Sequence, residues 1–174
     1  MKIILSLLLV VMLGGCLGMP KNMQPVDNFE VNRYLGKWYE IARLDHSFER
    51  GLEQVSAEYA MRDDGGISVV NRGYSIDDQK WEQADGKAYF VETEDIGYLK
   101  VSFFGPFYGS YVIFDLDHEN YQYSFVSGPN DEYLWLLSRT PTVDQSVIDR
   151  FIRLSKSYGF DTDALIFPNQ LPKQ

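Results

Sequence analysis

The chain has 174 residues and a formal net charge of -9, from 16 Lys and Arg against 25 Asp and Glu. That length suits one domain with a sizeable core, and an acidic chain without a Lys/Arg run is a poor match for nucleic acid or for anionic lipid headgroups. Aromatics at 15% and 14 glycines point to a β-rich protein with many turns.

Lys2 and the uncharged apolar run Ile3 to Leu13 read as a targeting segment, too short to span a bilayer. The segment ends at Leu13-Gly14-Gly15-Cys16, which resembles the bacterial lipoprotein cleavage box, where the Cys is lipidated and becomes the mature N-terminus. Cys16 is the only cysteine of the chain, which excludes disulfides, thiolate metal sites and a Cys nucleophile from the folded part. With Leu17 rather than Asp after it, the resemblance implies sorting to the outer membrane. Acyl chains, palmitate among them, would anchor the protein without a span, and the domain is expected to face the periplasm. Residues 1–15 are thus expected to be a signal peptide, 16–28 the lipidated Cys and a tether, and 29–174 the folded domain.

From Trp38 onward the chain breaks into short alternating segments at steps of about ten residues, the pattern of a sandwich or barrel. The predicted strands are 37–44, 54–62, 66–73, 81–92, 97–104, 110–116, 121–127 and 133–139. Asp63-Asp64-Gly65-Gly66 is a hairpin turn, and Gly105-Pro106, His118-Glu119-Asn120 and Gly128-Pro129-Asn130-Asp131 supply further turn chemistry. The period then changes. Thr140-Pro141 is a cap and first-turn pair, Val143, Val147, Phe151, Leu154 and Tyr158 follow at helical spacing, and Gly159 stops the helix. Ala164 to Phe167 reads as a short edge strand ended by Pro168. The expected fold is all-β: an eight-stranded antiparallel up-and-down β-barrel with one C-terminal α-helix packed outside.

Gly36-Lys37-Trp38 opens the first strand and Arg139 ends the eighth. Strands that alternate up and down bring both to the same end, where a guanidinium can lie over the buried indole. Gly36, Trp38 and Arg139 are therefore expected to form a structural plug. The connections 44–53, 74–80, 104–109 and 127–132 then surround an open mouth at the other end.

Gly36-x-Trp38 and Arg139 resemble the first and third signature regions of the lipocalins. Asp117 and Tyr121 fall where that family has its Thr-Asp-Tyr region, while Leu116 and His118 depart from it. The segments Trp38 to Arg43, Lys100 to Gly109 and Trp135 to Pro141 are similar to bacterial outer-membrane members. The resemblance covers nearly the whole mature chain, and it implies a barrel able to hold one small hydrophobic ligand.

Period-two alternation from Trp38 turns Glu40 and Ala42 into the barrel, and from Arg139 it turns in Tyr133, Trp135 and Leu137. The family pattern sets the phase elsewhere, adding Val55, Ala57, Tyr59, Val69, Asn71, Ala88, Val101, Phe103, Tyr111 and Ile113. These are the expected ligand-binding residues, a mostly apolar wall with few polar groups and Glu40 as its one ionisable member. His46, Phe48, Arg50 and Leu52 on one mouth loop and Phe104, Phe107 and Tyr108 on another face the entrance. The apolar tip at Phe104 reads as a gate, a membrane contact or part of a homodimer interface.

Such walls suit a fatty acid or lysophospholipid, bound for storage or transport in the cell envelope without catalysis, cofactor or metal. The alternatives are a lipocalin-fold enzyme acting on a hydrophobic small molecule and a structural lipoprotein with a filled core. His118 falls at the closed end, away from His46, and no Ser-His-Asp arrangement is suggested.

Overall fold

The computed structural model describes residues 17–170, so the leader expected over 1–15 and Cys16 lie outside the described residues. Its strands are β1 (Gly36–Arg43), β2 (Leu52–Met61), β3 (Ile67–Ser75), β4 (Lys80–Phe90), β5 (Tyr98–Ser102), β6 (Gly109–Leu116), β7 (Tyr123–Ser127) and β8 (Leu134–Ser138). Each pairs with the next in antiparallel sense, and β8 returns to β1 to close the barrel. Closure gives every strand a partner on both sides over at least part of its length. A one-turn helix, α1 (Val31–Tyr34), precedes β1 and was not legible in the sequence.

The apolar side chains form two clusters. One fills the lower barrel around Phe29, Tyr34, Trp38, Leu99 and Ile113. The other joins the outer wall to α2 (Gln145–Ser157), where fully buried Phe151 meets Phe125 edge-on at 5.0 Å. The helix starts after Asp144 rather than at Thr140-Pro141. Thr140 is held in the connecting loop, its N–H donating to Ser138 Oγ at 3.1 Å and its hydroxyl to the Thr142 carbonyl at 2.7 Å. The first helical residue is Gln145, five positions further on, so Thr140 is not the cap. The far end follows the sequence: Gly159 takes a φ of +94°, and the Phe160 N–H reaches back to the Ser155 carbonyl at 3.2 Å.

No edge strand forms at Ala164 to Phe167. The last segment is a 3₁₀ turn, Thr162–Ala164, followed by one bridge between Arg43 and Ile166. β1 and β2 pair only over Gly36 to Tyr39 and then part. The tail fills that gap, with Gln54 N–H donating to the Asn169 carbonyl at 2.8 Å and Gln170 Nε2 donating to the Val55 carbonyl at 2.9 Å. A closed barrel leaves room for a patch there, not for a ninth strand.

A second departure lies in β1. Its register against β8 shifts between Glu40 and Ala42, so that Ala42 pairs with Leu136 and Arg43 with Trp135. Ile41 and Ala42 both join the outer cluster beneath the helix. Ala42 is therefore not a cavity residue. The bulge adds one residue and reverses the alternation after it.

Residues 17–28 are not a free tether either. The Val26 N–H donates to the Ile113 carbonyl and the Gly97 N–H to the Val26 carbonyl, both at 2.8 Å, and the Phe29 N–H reaches the Asp95 carbonyl at 2.8 Å. Met23 is buried in the outer cluster. Gly97 must lack a side chain here, because a Cβ would stand 2.7 Å from Val26 Cγ2. Met23, Val26 and Phe29 remove apolar surface from water that a solvated linker would leave exposed.

Candidate functional site

The barrel floor is closed by contacts converging on Trp38. The Arg139 guanidinium carbon lies 3.9 Å from the indole centroid, and its nitrogens donate to the carbonyls of Lys37 at 2.9 Å and Arg33 at 2.6 Å. Trp38 Nε1 donates to the Tyr34 carbonyl at 2.7 Å, so the fully buried indole has its polar atom satisfied. Gly36 has a φ of +90°, and a Cβ there would come 3.6 Å from Arg139 Nη1. The structure thus brings Gly36, Trp38 and Arg139 together at the end where α1 covers the barrel.

Above the floor lies a cavity of about 900 Å³ that opens between the mouth loops. Its deep wall carries three tyrosines. The Tyr111 hydroxyl is 2.8 Å from that of Tyr34 and 2.9 Å from that of Tyr59, and Tyr34 is also 3.1 Å from Ser124 Oγ. Burial pushes the Tyr34 phenol up to about 12, and it raises Tyr59 and Tyr111 well above the ordinary phenol value as well. The trio therefore stays neutral and serves as hydroxyl donors and acceptors.

A pH effect follows. Tyr34 ionises near 10 in the unfolded chain and near 12 in the fold, so its contribution is intact below pH 10 and lost as pH rises through 12. That loss is worth roughly 2–3 kcal/mol. Absorbance titration at the tyrosinate band should show these phenols ionising only together with alkaline unfolding; smooth titration of every tyrosine in a still-folded protein would contradict the burial.

The neck of the cavity is ionic. Arg43 Nη1 meets Glu40 Oε1 at 2.6 Å, and both side chains are almost wholly buried. Arg43 Nη2 also donates to the Glu49 carbonyl at 2.9 Å. His46 Nε2 lies 2.9 Å from Glu49 Oε2, which also accepts from Trp135 Nε1 at 3.0 Å. Burial drives Glu40 well above the usual carboxylate range, the Glu49 charge adds to this, and Arg43 opposes it. Burial also works against Glu49, but the hydrogen bond and charge of His46, then Trp135 and Arg43, outweigh it and leave Glu49 lowered. One carboxyl is thus biased towards the acid form and its neighbour towards the anion.

All of the predicted wall residues line this cavity except Ala42 and Ile113: Glu40, Val55, Ala57, Tyr59, Val69, Asn71, Ala88, Val101, Phe103, Tyr111, Tyr133, Trp135 and Leu137 do so. Ala42 is turned outward by the bulge. Ile113 points inward but is fully buried within the lower cluster and does not reach the cavity wall. Asn71 Oδ1 has no hydrogen-bond partner among the described residues, which leaves an acceptor on the wall. Glu40 is not the lone ionisable group. The same bulge that removes Ala42 turns Arg43 towards it, and the first mouth loop folds Glu49 and His46 inward. Tyr34 was also missed, although its position two residues before Gly36 puts it beside the plug. Among the described residues, no cluster of His, Cys, Asp or Glu could hold a metal ion.

Comparison with known proteins fits this geometry. The family described as Lipocalin-like domain matches residues 29–170. The chain belongs to the lipocalin family. This lipocalin is 66% identical over 170 residues to outer membrane lipoprotein Blc of Vibrio cholerae serotype O1, covering 98% of this chain and 99% of that one. It is 50% identical to outer membrane lipoprotein Blc of Escherichia coli K12, over 87% of this chain and 85% of that one. Insecticyanin from the tobacco hornworm Manduca sexta shares the fold, with a TM-score of 0.69 at 21% identity over 87% of this chain and 86% of the other. In line with the bacterial relatives, the protein is a lipid-anchored lipocalin of the outer membrane, and its cavity is a site for a hydrophobic ligand.

Proposed function

We propose that this lipocalin binds a fatty acid or lysophospholipid and stores or carries it within the cell envelope, held to the membrane by acyl chains on Cys16. The observation that carries this reading is the cavity itself. It is about 900 Å³, walled by aliphatic and aromatic side chains, closed below by the plug and open above through a polar neck. That volume is of the size that holds one small ligand. Each methylene moved from water into such a wall contributes about 0.8 kcal/mol, so the acyl chain supplies the affinity. The headgroup is left at the neck, beside Glu40, Glu49, Trp135 and Asn71. No bond is made or broken in this role: Glu40 is engaged by Arg43, and Glu49 by His46 and Trp135.

The test is titration of the purified protein with a fluorescent fatty acid, followed by displacement with oleate and then with lysophosphatidylethanolamine. Saturable uptake with one site per chain, quenching of Trp135 emission and displacement by at least one competitor are expected. Absence of saturable binding would leave the structural-lipoprotein reading in its place.

A further inference from the structure

The N-terminal arm ends beside the cavity entrance. From the floor, where Phe29 is tied to Asp95, it runs along the outside of the barrel and reaches Gly18, whose N–H donates to Ser110 Oγ at 2.9 Å. Ser110 is the second residue of β6 and stands at the mouth, and a side chain on Gly18 would meet the Pro129 carbonyl of the β7–β8 connection at 3.5 Å. Leu17 and Gly18 line the entrance together with Phe104, Phe107 and Pro129. Cys16 is two residues from Gly18, and two residues of chain span at most about 7 Å. An anchor on Cys16 therefore cannot let the domain hang free. It holds the mouth within a headgroup's depth of the bilayer.

The surface chemistry is polarised in the same sense. Leu17, Phe48, Ile76, Trp81, Phe104 and Phe107 are exposed at the mouth end, with Phe104 78% and Phe107 73% exposed. At the floor end only Met61 and Val91 are comparably bare among the described residues. Bare phenylalanines around an opening are costly in water and favourable at the boundary of headgroups and acyl chains. The rim charges do not form a basic ring: Asp77, Asp78, Asp131 and Glu132 are exposed on the mouth loops, and Lys80 and Arg50 are paired with Asp78 and Asp45.

We infer that the anchored protein docks mouth-down on the bilayer, the Phe104–Phe107 loop and Leu17 entering the interface, so that a lipid passes between membrane and cavity without crossing water. This rests on the proposed anchor at Cys16. The contact is apolar, so added salt should change it little, unlike a patch that recognises anionic headgroups.

The test uses the full acylated protein in vesicles of phosphatidylethanolamine and phosphatidylglycerol with brominated acyl chains. Since the chain has one cysteine, a thiol introduced by Phe107→Cys at the mouth or Asp63→Cys at the floor can be labelled selectively with an environment-sensitive fluorophore. Intact mass is read first. Acyl mass on Cys16 supports the anchor, and its absence would remove both the anchor and the docking. With the anchor present, the label at 107 should be quenched several-fold more by the bromines than the label at 63, and the label at 63 should be the one open to aqueous iodide. Phe104→Ser should weaken the quenching at 107 with the thermal unfolding midpoint unmoved. Equal or reversed quenching at the two labels would overturn the mouth-down orientation while leaving the anchor and cavity binding standing. So would energy transfer between labels at 107 on two copies, which would make the covering partner a second chain.

Discussion

Trp38→Ala should lower the unfolding free energy by roughly 3–5 kcal/mol, the range for truncating a large, fully buried aromatic. The side chain has no exposure and carries the Tyr34 ring at 4.7 Å on one side and the Arg139 guanidinium on the other. Its loss leaves a void and strips Arg139 of the surface it stacks on, while the Tyr34 carbonyl loses its indole donor. Denaturant unfolding followed by circular dichroism measures the change. Because Trp38 lies beneath the cavity, fatty-acid affinity measured under fully native conditions should fall by less than about threefold. A stable variant that no longer binds would show that Trp38 belongs to the ligand site and not to the floor.

Ala57→Trp should do the opposite, with affinity lost and stability kept. Ala57 lies on β2 between Trp38 and Asn71 in the ladder, and it is partly accessible although it faces inward, because it borders the open cavity. An indole there occupies space that roughly four methylenes of an acyl chain would fill, about 3 kcal/mol of burial or roughly a hundredfold in affinity. Stability should stay within about 1 kcal/mol of the parent, since the ring enters empty space rather than a packed core. Titration with the fluorescent fatty acid and a denaturation curve on the same sample separate the two effects. Unchanged affinity would mean that ligands do not use this cavity.

Much of this was legible beforehand because it depends on local rules. Strand alternation, turn residues such as Asp64-Gly65 and the helical spacing of Val147, Phe151 and Leu154 each act over a few residues. They produced the barrel, the helix and the inward places of Glu40, Tyr133, Trp135 and Leu137, while the family resemblance set the phase of the remaining wall. The errors fall where contacts outside an element's own periodic pattern decide the outcome. Alternation carried past Glu40 gives Ala42 inside, but the bulge against β8 moves Ala42 under the helix and exchanges it for Arg43. Thr140-Pro141 has the chemistry of a cap, yet Thr140 joins a turn with Ser138 and Thr142 and the helix starts only after Asp144. A bulge or a competing partner leaves no periodic trace in a single strand.

The sequence by itself determined the barrel and its plug, since Gly36, Trp38 and Arg139 meet in any eight-stranded up-and-down closure, and it determined the apolar character of the inner wall. Only the tertiary structure decided the charge of the neck and the course of the N-terminal arm. Arg43, Glu49 and His46 come together through one bulge and one folded loop, and Gly18 finds Ser110 from 92 residues away. Periodicity reports which face a residue takes on its own strand. It is blind to a segment that earns its place by docking on another, and that docking is what brings Gly18 to the mouth.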